Sequence, residues 1–337
     1  MDSLSQLALG AACSVAVMGR RTAVWKAALW GGLAGTLPDL DALIDLGDAV
    51  RNMTEHRGLS HGLLIVTLVA PVLGTIASRM HREGDLMRRW CLAMWLTLFT
   101  HPLLDTLTIY GTQLLQPFSS YPFGVGSMFI IDPLYTLPLL IGLGVALGRR
   151  QFAGLRANAA GLALSTLYLA WSVLAQAQLE QRVRAQLTRE GEASAAILVT
   201  PTPLNTVAWR VVVMQPGGYR EGFYSLLDGD RPIRFDTFPS QTALLPALGD
   251  NPGLLRMVGF THGFFGLREE NGRAILADLR MGQEPFYVFQ FALARREGER
   301  WITIPPEPVG SRGDVAQALP WLWARIQGHD VAPPREP

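Results

Sequence analysis

The chain has 337 residues, of which 49% are hydrophobic and 17% are charged, and its formal net charge is +1. Soluble domains carry about 25% charged residues, so this composition argues against one ordinary soluble domain. The near-zero net charge gives no case for a nucleic-acid partner. The two cysteines, Cys13 and Cys91, both lie in apolar segments and exclude a disulfide framework or a cysteine-based zinc site. The charge deficit falls in the first half, which predicts a membrane half followed by a more ordinary half.

Six apolar segments in the first half predict transmembrane helices, because an apolar run of roughly 17 or more residues suits a membrane span. In chain order the segments are 3–19, 22–37, 58–78, 90–110, 129–148 and 157–179. A secretory signal peptide has basic residues before its apolar core, and the start Met-Asp-Ser has none. We therefore expect the first segment to be retained as a helix.

The distribution of Lys and Arg predicts the orientation of these spans. Basic residues lie after the first, third and fifth segments, within 20–26, 79–89 and 149–156. The intervening segments 38–57 and 111–128 carry few basic residues or none. Because basic loops stay in the cytoplasm, we expect a multi-pass protein of the bacterial inner membrane. Its N-terminus and its C-terminal half would lie outside the cytoplasm.

Beyond residue 180 the pattern changes to short β-like runs separated by Gly and Pro turns. Strands are predicted at 195–200, 207–213, 222–227, 274–279 and 286–293, with a closing amphipathic helix at 314–327. The predicted fold is a membrane α-helical bundle of about six spans over residues 1–179. A small α+β soluble domain follows over residues 180–330, and residues 331–337 form a disordered tail.

Ionisable residues collect in the membrane half, where each is costly unless it is paired or functional. Three strings, TLPDLD, EHRGLSHG and THPLLD, carry them. The two ionisable residues of the third string, His101 and Asp105, are four residues apart and so share one helix face. The predicted topology brings all three strings towards the outer surface. We therefore predict a divalent-metal site whose ligands are Asp39, Asp41, His56, His61, His101 and Asp105.

Imidazole and carboxylate ligands together suit zinc, manganese or iron, and we expect zinc or manganese. Six ligands exceed the three of a single catalytic zinc and suffice for two ions, as in phosphoesterases. In such a site Asp105 or Asp41 would act as the general base. Arg57, beside His56, would stabilise an anionic phosphoryl group.

Each of these residues also has a plainer interpretation. Asp39 and Asp41 would serve equally as helix caps, and His101 with Asp105 as a buried polar pair between helices. The plainer interpretations of the others are a surface loop residue for His56, a core histidine for His61 and a solvated cation for Arg57. Asp132, just before Pro133, is typical of an N-cap. His81 and His262 are interpreted as structural. The metal prediction depends on the combination of the three strings.

The strings GGLAGTLPDLD, HRGLSHG, THPLLDTLTIYGTQLLQPFS and DPLYTLPLL resemble the bacterial membrane-bound, metal-dependent hydrolase family of YdjM-like inner-membrane proteins. The later string TPTPLNTVAWRVV is similar to the longer members of that family. The resemblance covers most of the chain. It implies a metal-dependent hydrolase of the inner membrane and a metal-binding role for the six residues named above.

We therefore expect a membrane-bound metal-dependent hydrolase that cleaves a phosphoester or another ester with metal-activated water. Because the site is predicted near the level of the lipid headgroups, a lipid or lipid-linked substrate in the bilayer is the expected partner. One alternative is a metal ion transporter, which predicts ligands at several membrane depths. Another is a non-catalytic membrane scaffold whose C-terminal half binds a protein.

Overall fold

The computed structural model describes residues 1–149 and 152–335 and divides into two compact units. The helical unit contains residues 1–44 and 55–173. The sheet unit contains residues 45–54 and the chain from Leu174 onward. The predicted order, a helical N-terminal region followed by a β-sheet domain, is confirmed.

Seven helices occupy the described part of the chain up to Arg189, and a short α3 among them belongs mainly to the sheet unit. They are α1 (Ser3–Met18), α2 (Val24–Thr36), α3 (Ala49–Glu55), α4 (Leu63–Met80), α5 (Met87–Thr106), α6 (Pro133–Gly148) and α7 (Phe152–Arg189). Two 3₁₀ turns, Pro38–Leu43 and Leu59–His61, lie between α2 and α4.

Each of the six predicted spans corresponds to a helix, but the count of six spans is not confirmed. Within the described residues, only α4 and α7 combine the length and the apolar composition needed to cross a membrane. Helices α1 and α6 are apolar but have 16 residues each. At a rise of 1.5 Å per residue they extend over about 24 Å, less than the roughly 30 Å of a hydrocarbon core.

Helices α1 and α2 pack with their backbones in contact because glycines line their interface. A Cβ atom placed on Gly10 would lie 2.3 Å from the carbonyl oxygen of Gly31. One placed on Gly35 would lie 2.6 Å from the carbonyl oxygen of Gln6. Such close approach is typical of small residues between membrane helices. It holds the end of α2 against α1.

A carboxylate joins α2, α4 and α5 at one end of the helical unit. Glu83 accepts hydrogen bonds from Thr22 at 2.7 Å, Lys26 at 2.8 Å and the indole of Trp90 at 3.0 Å. Its carbonyl oxygen accepts from the hydroxyl of Ser78 at 2.8 Å. We call these contacts the Glu83 hub. They fix the start of α2, the end of α4 and the start of α5.

The sheet unit contains two four-stranded antiparallel sheets and a two-stranded ribbon. The strands are β1 (Ile197–Pro201), β2 (Ala208–Gln215), β3 (Gly218–Ser225), β4 (Phe235–Pro239), β5 (Phe265–Glu270), β6 (Arg273–Asp278), β7 (Gly282–Gln283), β8 (Phe286–Tyr287), β9 (Gln290–Glu297) and β10 (Arg300–Pro308). The sheet orders are β1-β2-β3-β4 and β10-β9-β6-β5. The helices are α8 (Leu245–Leu248), α9 (Pro252–Phe260) and α10 (Val315–Ile326).

The core of the first sheet is built against the second half of α7, where Leu179 and Val183 pack with Trp209 and Val211. The predicted closing helix corresponds to α10, whose N-cap is Asp314. The single strand predicted at 286–293 is divided between β8 and β9.

Two sequence predictions fall partly beyond the described residues. Arg150, within a loop predicted to be cytoplasmic, lies outside them, as do residues 336–337 of the predicted tail. Residues 331–335 have no regular secondary structure. Arg335 nevertheless donates to a carboxylate oxygen of Asp236 at 2.6 Å.

Candidate metal centre

Four of the six predicted ligands converge in the helical unit. Asp39, His61, His101 and Asp105 each place one donor atom within 4.8 Å of the others. The side chains of His61, His101 and Asp105 are fully buried, whereas that of Asp39 is 19% exposed. We call these four residues the metal cluster, since they could bind a metal ion.

Three separate pieces of chain deliver the metal cluster. Asp39 lies in the 3₁₀ turn that Pro38 begins directly after α2. His61 ends the second 3₁₀ turn, immediately before α4. His101 and Asp105 lie one turn apart near the end of α5 and so face the same side, as their spacing predicted.

The separations between donor atoms match a small tetrahedral ion. His61 Nε2 lies 3.1 Å from His101 Nε2, 3.3 Å from Asp105 Oδ2 and 3.5 Å from Asp39 Oδ1. His101 Nε2 lies 3.5 Å from each of the two carboxylate oxygens. A tetrahedral zinc ion with bonds of about 2.0–2.1 Å separates its donors by roughly 3.3 Å. Five of the six separations among the four donor atoms are therefore close to the edges of a tetrahedron of that size, and the sixth, between Asp39 and Asp105, is within 4.8 Å.

Both imidazoles are oriented through the nitrogen that faces away from the cluster. His101 Nδ1 lies 2.7 Å from the carbonyl oxygen of Gly35. Because a carbonyl oxygen only accepts, His101 carries a proton on Nδ1 and can present a lone pair at Nε2. His61 Nδ1 lies 2.9 Å from the hydroxyl of Ser60 and 3.5 Å from Asp41 Oδ2. Outer partners of this kind are typical of metal-binding histidines.

One buried oxygen of the cluster lacks a hydrogen-bond donor within the described part of the chain. Asp105 Oδ1 accepts from the side-chain amide of Gln6 at 3.0 Å and contacts the α-amino group of Met1. Asp105 Oδ2 lies 3.3 Å from His61 Nε2 and 3.4 Å from Arg57 Nε, but neither contact has the geometry of a hydrogen bond. A buried carboxylate oxygen without a partner is costly, and a cation among the four donors would satisfy it. The residues present therefore fit a divalent metal ion.

The carboxylates control the protonation of His61. Burial alone would lower the pKa of its imidazole, but Asp105, Asp39 and Asp41 outweigh burial and raise that pKa to about 10. Burial likewise opposes charge on Asp39, but contacts with His101 and His61 hold its pKa well below the usual range. Without a metal, His61 is thus a cation among carboxylates at neutral pH. A metal ion must displace that proton in order to bind.

Asp41 and His56 lie at the edge of the cluster and contact each other. His56 Nδ1 is 2.7 Å from Asp41 Oδ1. The other oxygen of Asp41 accepts from the Ser60 hydroxyl at 2.6 Å and from the Arg57 amide at 3.0 Å. A 3₁₀ turn has 3.0 residues per turn, so positions 39 and 41 point in different directions. The ligand and base roles predicted for Asp41, and the ligand role predicted for His56, remain predictions.

Arg57 is buried against the cluster. Its Nε lies 3.4 Å from Asp105 Oδ2, and its guanidinium donates to the Thr108 hydroxyl at 3.2 Å. The guanidinium also lies 4.9 Å from the centre of the Tyr110 ring. Arg57 has a φ of 61°, a left-handed conformation that costs an ordinary residue free energy and is frequent at functional sites. Its predicted role towards an anionic phosphoryl group remains a prediction.

The remaining candidates lie elsewhere. Asp132 is the N-cap of α6, where it accepts from the Leu134 amide at 3.0 Å and from the Tyr168 hydroxyl at 2.8 Å. His81 accepts a hydrogen bond from the indole of Trp30 at 2.9 Å. Over residues 1–149 and 152–335, no second group of His, Cys, Asp and Glu has the geometry to hold a metal. Two ions therefore remain a prediction, and the structure offers one site.

Gln6 is a site residue that the sequence analysis missed. Its side-chain amide donates to Asp105 Oδ1 at 3.0 Å and to the carbonyl oxygen of His101 at 3.2 Å. It therefore holds Asp105 with Oδ2 turned towards the imidazoles. Its signal in the sequence is a Gln within a mainly apolar segment. The structure shows that this side chain is buried.

Comparison with known proteins bears on the same part of the chain. Residues 1–179 match the family described as YdjM inner membrane protein. The uncharacterized protein YfhP of Bacillus subtilis is 23% identical over 224 residues, covering 63% of this chain and 64% of that protein. The inner membrane protein YbcI of Escherichia coli is 35% identical over 82 residues, covering 24% of this chain and 46% of that protein. The chain thus spans less than two thirds of either relative, and no solved structure matches it.

Proposed function

We propose that the chain, which belongs to the YdjM inner membrane protein family, is a membrane-bound metal-dependent hydrolase of a phosphoester or a similar ester. The observation that carries this proposal is the convergence of two imidazoles and two carboxylates on one buried point. A divalent cation bound there would polarise the ester bond and lower the pKa of a coordinated water. The tetrahedral spacing of the donors makes zinc the first candidate and manganese the second.

The four members of the cluster divide by exposure into two roles. His61, His101 and Asp105 are fully buried and would hold the ion, which gives the three protein ligands of a catalytic zinc site. Asp39 is the member with an exposed side chain, so an incoming substrate and water would meet it first. We assign Asp39, the partly exposed fourth member of the cluster, to give up its corner to the attacking water and to accept the proton of that water. Asp41 is already engaged by four donors and would orient His61 instead.

The arrangement favours hydrolysis over the transport alternative. A transport pathway requires ligands at successive depths, and the described residues hold a single group with metal-binding geometry. In this proposal the shorter apolar helices also lie in the membrane, and the sheet unit lies outside the cytoplasm. That topology is supported by the basic loops of the sequence.

Metal content and turnover of the detergent-purified full chain test the proposal together. We expect near-stoichiometric zinc or manganese by mass spectrometry and metal-dependent cleavage of bis(p-nitrophenyl) phosphate. Both should be lost in His61→Ala and Asp105→Ala. Asp132→Asn is the matched control, because it alters a buried carboxylate of the same unit outside the cluster.

Two outcomes would contradict the proposal. A wild-type protein that binds no metal after reconstitution would leave the cluster as a polar packing network and favour the scaffold alternative. Bound metal without cleavage of any ester, together with metal flux in liposomes, would favour transport.

A further inference from the structure

We propose that the substrate is a bilayer amphiphile whose hydrocarbon chain lies along an apolar rim beside the metal cluster. This inference rests on the proposed function and specifies the substrate class for the same site. The rim consists of Leu40, Leu43, Leu59, Leu115 and Phe118, all of them exposed. Leu43 and Phe118 are each 83% exposed, the largest exposed fractions among the large hydrophobic side chains of the described residues.

The rim is built from the same segments that deliver the cluster. Leu40 and Leu43 belong to the 3₁₀ turn that carries Asp39, and Leu59 begins the turn that His61 ends. Inward-facing positions of these turns hold the polar ligands, and outward-facing positions hold leucine. A substrate that reaches the exposed Asp39 side chain must therefore pass apolar side chains on the same turn.

The third part of the rim is fastened to the second turn by the backbone. The amide of Leu63 donates to the carbonyl oxygen of Leu114 at 2.9 Å. The amide of Gln113 donates to the carbonyl oxygen of Arg57 at 3.0 Å. Segment 113–118, with Leu115 and Phe118, is thus held beside the turn that presents His61. The first turn is joined to the second by the hydrogen bond from Ser60 to Asp41, so the three segments are bonded in series beside the site.

The position of the rim along the chain indicates a lipid occupant. His61 lies two residues before Leu63, the first residue of α4, which is a candidate membrane span. The site therefore stands at the end of a span, where hydrocarbon gives way to headgroups. Segment 111–128 contains no Asp, Glu, Lys or Arg, so it can enter that layer without desolvating a charge. Exposed apolar patches of this kind mark interaction sites.

The chemistry of such a substrate follows from the two surfaces. The ester to be cleaved belongs to a headgroup, which meets the polar cluster from the Asp39 side. The hydrocarbon chain stays against the leucines and Phe118, so the substrate need not leave the bilayer. Chain length then contributes to binding, while the cleaved bond can be the same in long-chain and short-chain compounds.

A photolabelling experiment tests the rim without relying on hydrolysis. The full chain is reconstituted in phosphatidylcholine vesicles that contain a phosphatidylcholine with a diazirine in its acyl chain, irradiated and mapped by peptide mass spectrometry. We expect adducts within 40–43, at Leu59 and within 115–118. Leu227 and Leu255, which are 63% and 57% exposed in the sheet unit, provide the matched control and should stay unlabelled. Absence of adducts on the rim would overturn the inference.

A substrate comparison then tests the role of the rim. The double variant Leu43→Ser/Phe118→Ser is compared with the control Leu227→Ser/Leu255→Ser. Hydrolysis of dioleoyl and dihexanoyl phosphatidylglycerol, which share a headgroup, is measured for each. We expect the ratio of long-chain to short-chain rates to fall about tenfold or more in the rim variant, because two apolar contacts are lost. The control should keep the wild-type ratio.

The outcomes separate the two proposals. An unchanged ratio in the rim variant would overturn the rim as a chain-binding surface. Size-exclusion chromatography compares the oligomeric states of the two proteins. If the wild type is an oligomer and the rim variant is a monomer, the rim binds a second copy of the chain, and the inference is overturned. If the wild type cleaves no ester at all, the proposed function and its substrate fail together, and the labelling alone decides whether the rim holds lipid chains.

Discussion

Buried charges are arranged differently in the two units of this molecule. In the sheet unit each deeply buried carboxylate faces a guanidinium, with Arg210 and Glu221 at 2.6 Å and Arg280 and Asp278 at 2.7 Å. In the helical unit Asp105 also lies near a guanidinium, that of Arg57 at 3.4 Å, but two carboxylates and two imidazoles point at one another, and Asp105 Oδ2 has no hydrogen bond in the described chain. In such an ion pair each charge is neutralised by its partner, so the pair has a structural role and needs no ligand. A group of carboxylate oxygens and imidazole nitrogens directed at one point is suited to bind a cation.

The largest expected effect is on the turnover number of an Asp39 variant in the helical unit, with little effect on folding. Asp39→Asn keeps the size of the side chain but removes its ability to accept a proton. We expect the turnover number to fall by about 10²–10⁴, the range of general-base contributions. Metal content and thermal stability should stay close to wild type, because three buried ligands remain. Full turnover in this variant would move the base to another residue.

The opposite result is expected in the sheet unit. Glu221→Gln leaves Arg210 buried without a counter-charge, and breaking a buried pair in this way costs about 3–5 kcal/mol. Chemical denaturation followed by tryptophan fluorescence, to which the buried Trp209 of the same unit contributes, measures the loss. Bound metal per folded protein should not change. A variant as stable as wild type would show that the pair is dispensable.

A smaller effect, on metal affinity, is expected from Asp41, which contacts the ligand His61 and not the metal itself. Asp41→Asn weakens the acceptor behind His61 without removing a donor atom from the cluster. We expect metal affinity to fall about 10–100-fold, as for other outer partners of metal-binding histidines. Competition with a chelator of known affinity measures this. If Asp41 is instead a direct ligand, as the sequence predicted, metal should be lost altogether.

The smallest expected effect is the change in metal affinity for each unit of pH. The pKa of His61 is raised to about 10 in the metal-free protein, so below that pH binding must release its proton. Affinity should therefore rise with pH, by up to about tenfold per unit, and level off near the raised pKa. Calorimetry in buffers of different ionisation enthalpy counts the proton released. Binding at pH 7 with no proton release would show that His61 is neutral before the metal arrives.

The sequence was sufficient to find most of the residues of the cluster. It was not sufficient to separate those that converge on one point from those that lie at its edge. The i, i+4 spacing of His101 and Asp105 correctly predicted a shared helix face. The separation of Asp39 from Asp41 depends on the 3₁₀ geometry of one short turn, which composition does not reveal. Gln6 was missed because its contact with Asp105 joins residues 99 positions apart.

The same limits explain the strands that were not predicted. β4, β5 and β10 all lie at the edges of their sheets. Edge strands are often polar and tolerate proline, and so lack the apolar pattern of a central strand. β10 contains Pro305 and Pro306, and β4 ends at Pro239. The number of membrane spans could likewise not be predicted from the apolar pattern. That pattern does not show where a helix ends, and α2 ends after only 13 residues.

The Glu83 hub and the metal cluster lie at opposite ends of the same three helices. The hub joins the start of α2, the end of α4 and the start of α5. The cluster joins the turn after α2, the turn before α4 and the end of α5. Side chains alone fasten the Glu83 end, and in the proposed function an ion bound by the cluster would add to the contacts at the other end. Loss of such an ion would then weaken only the end of the bundle that is opposite Glu83.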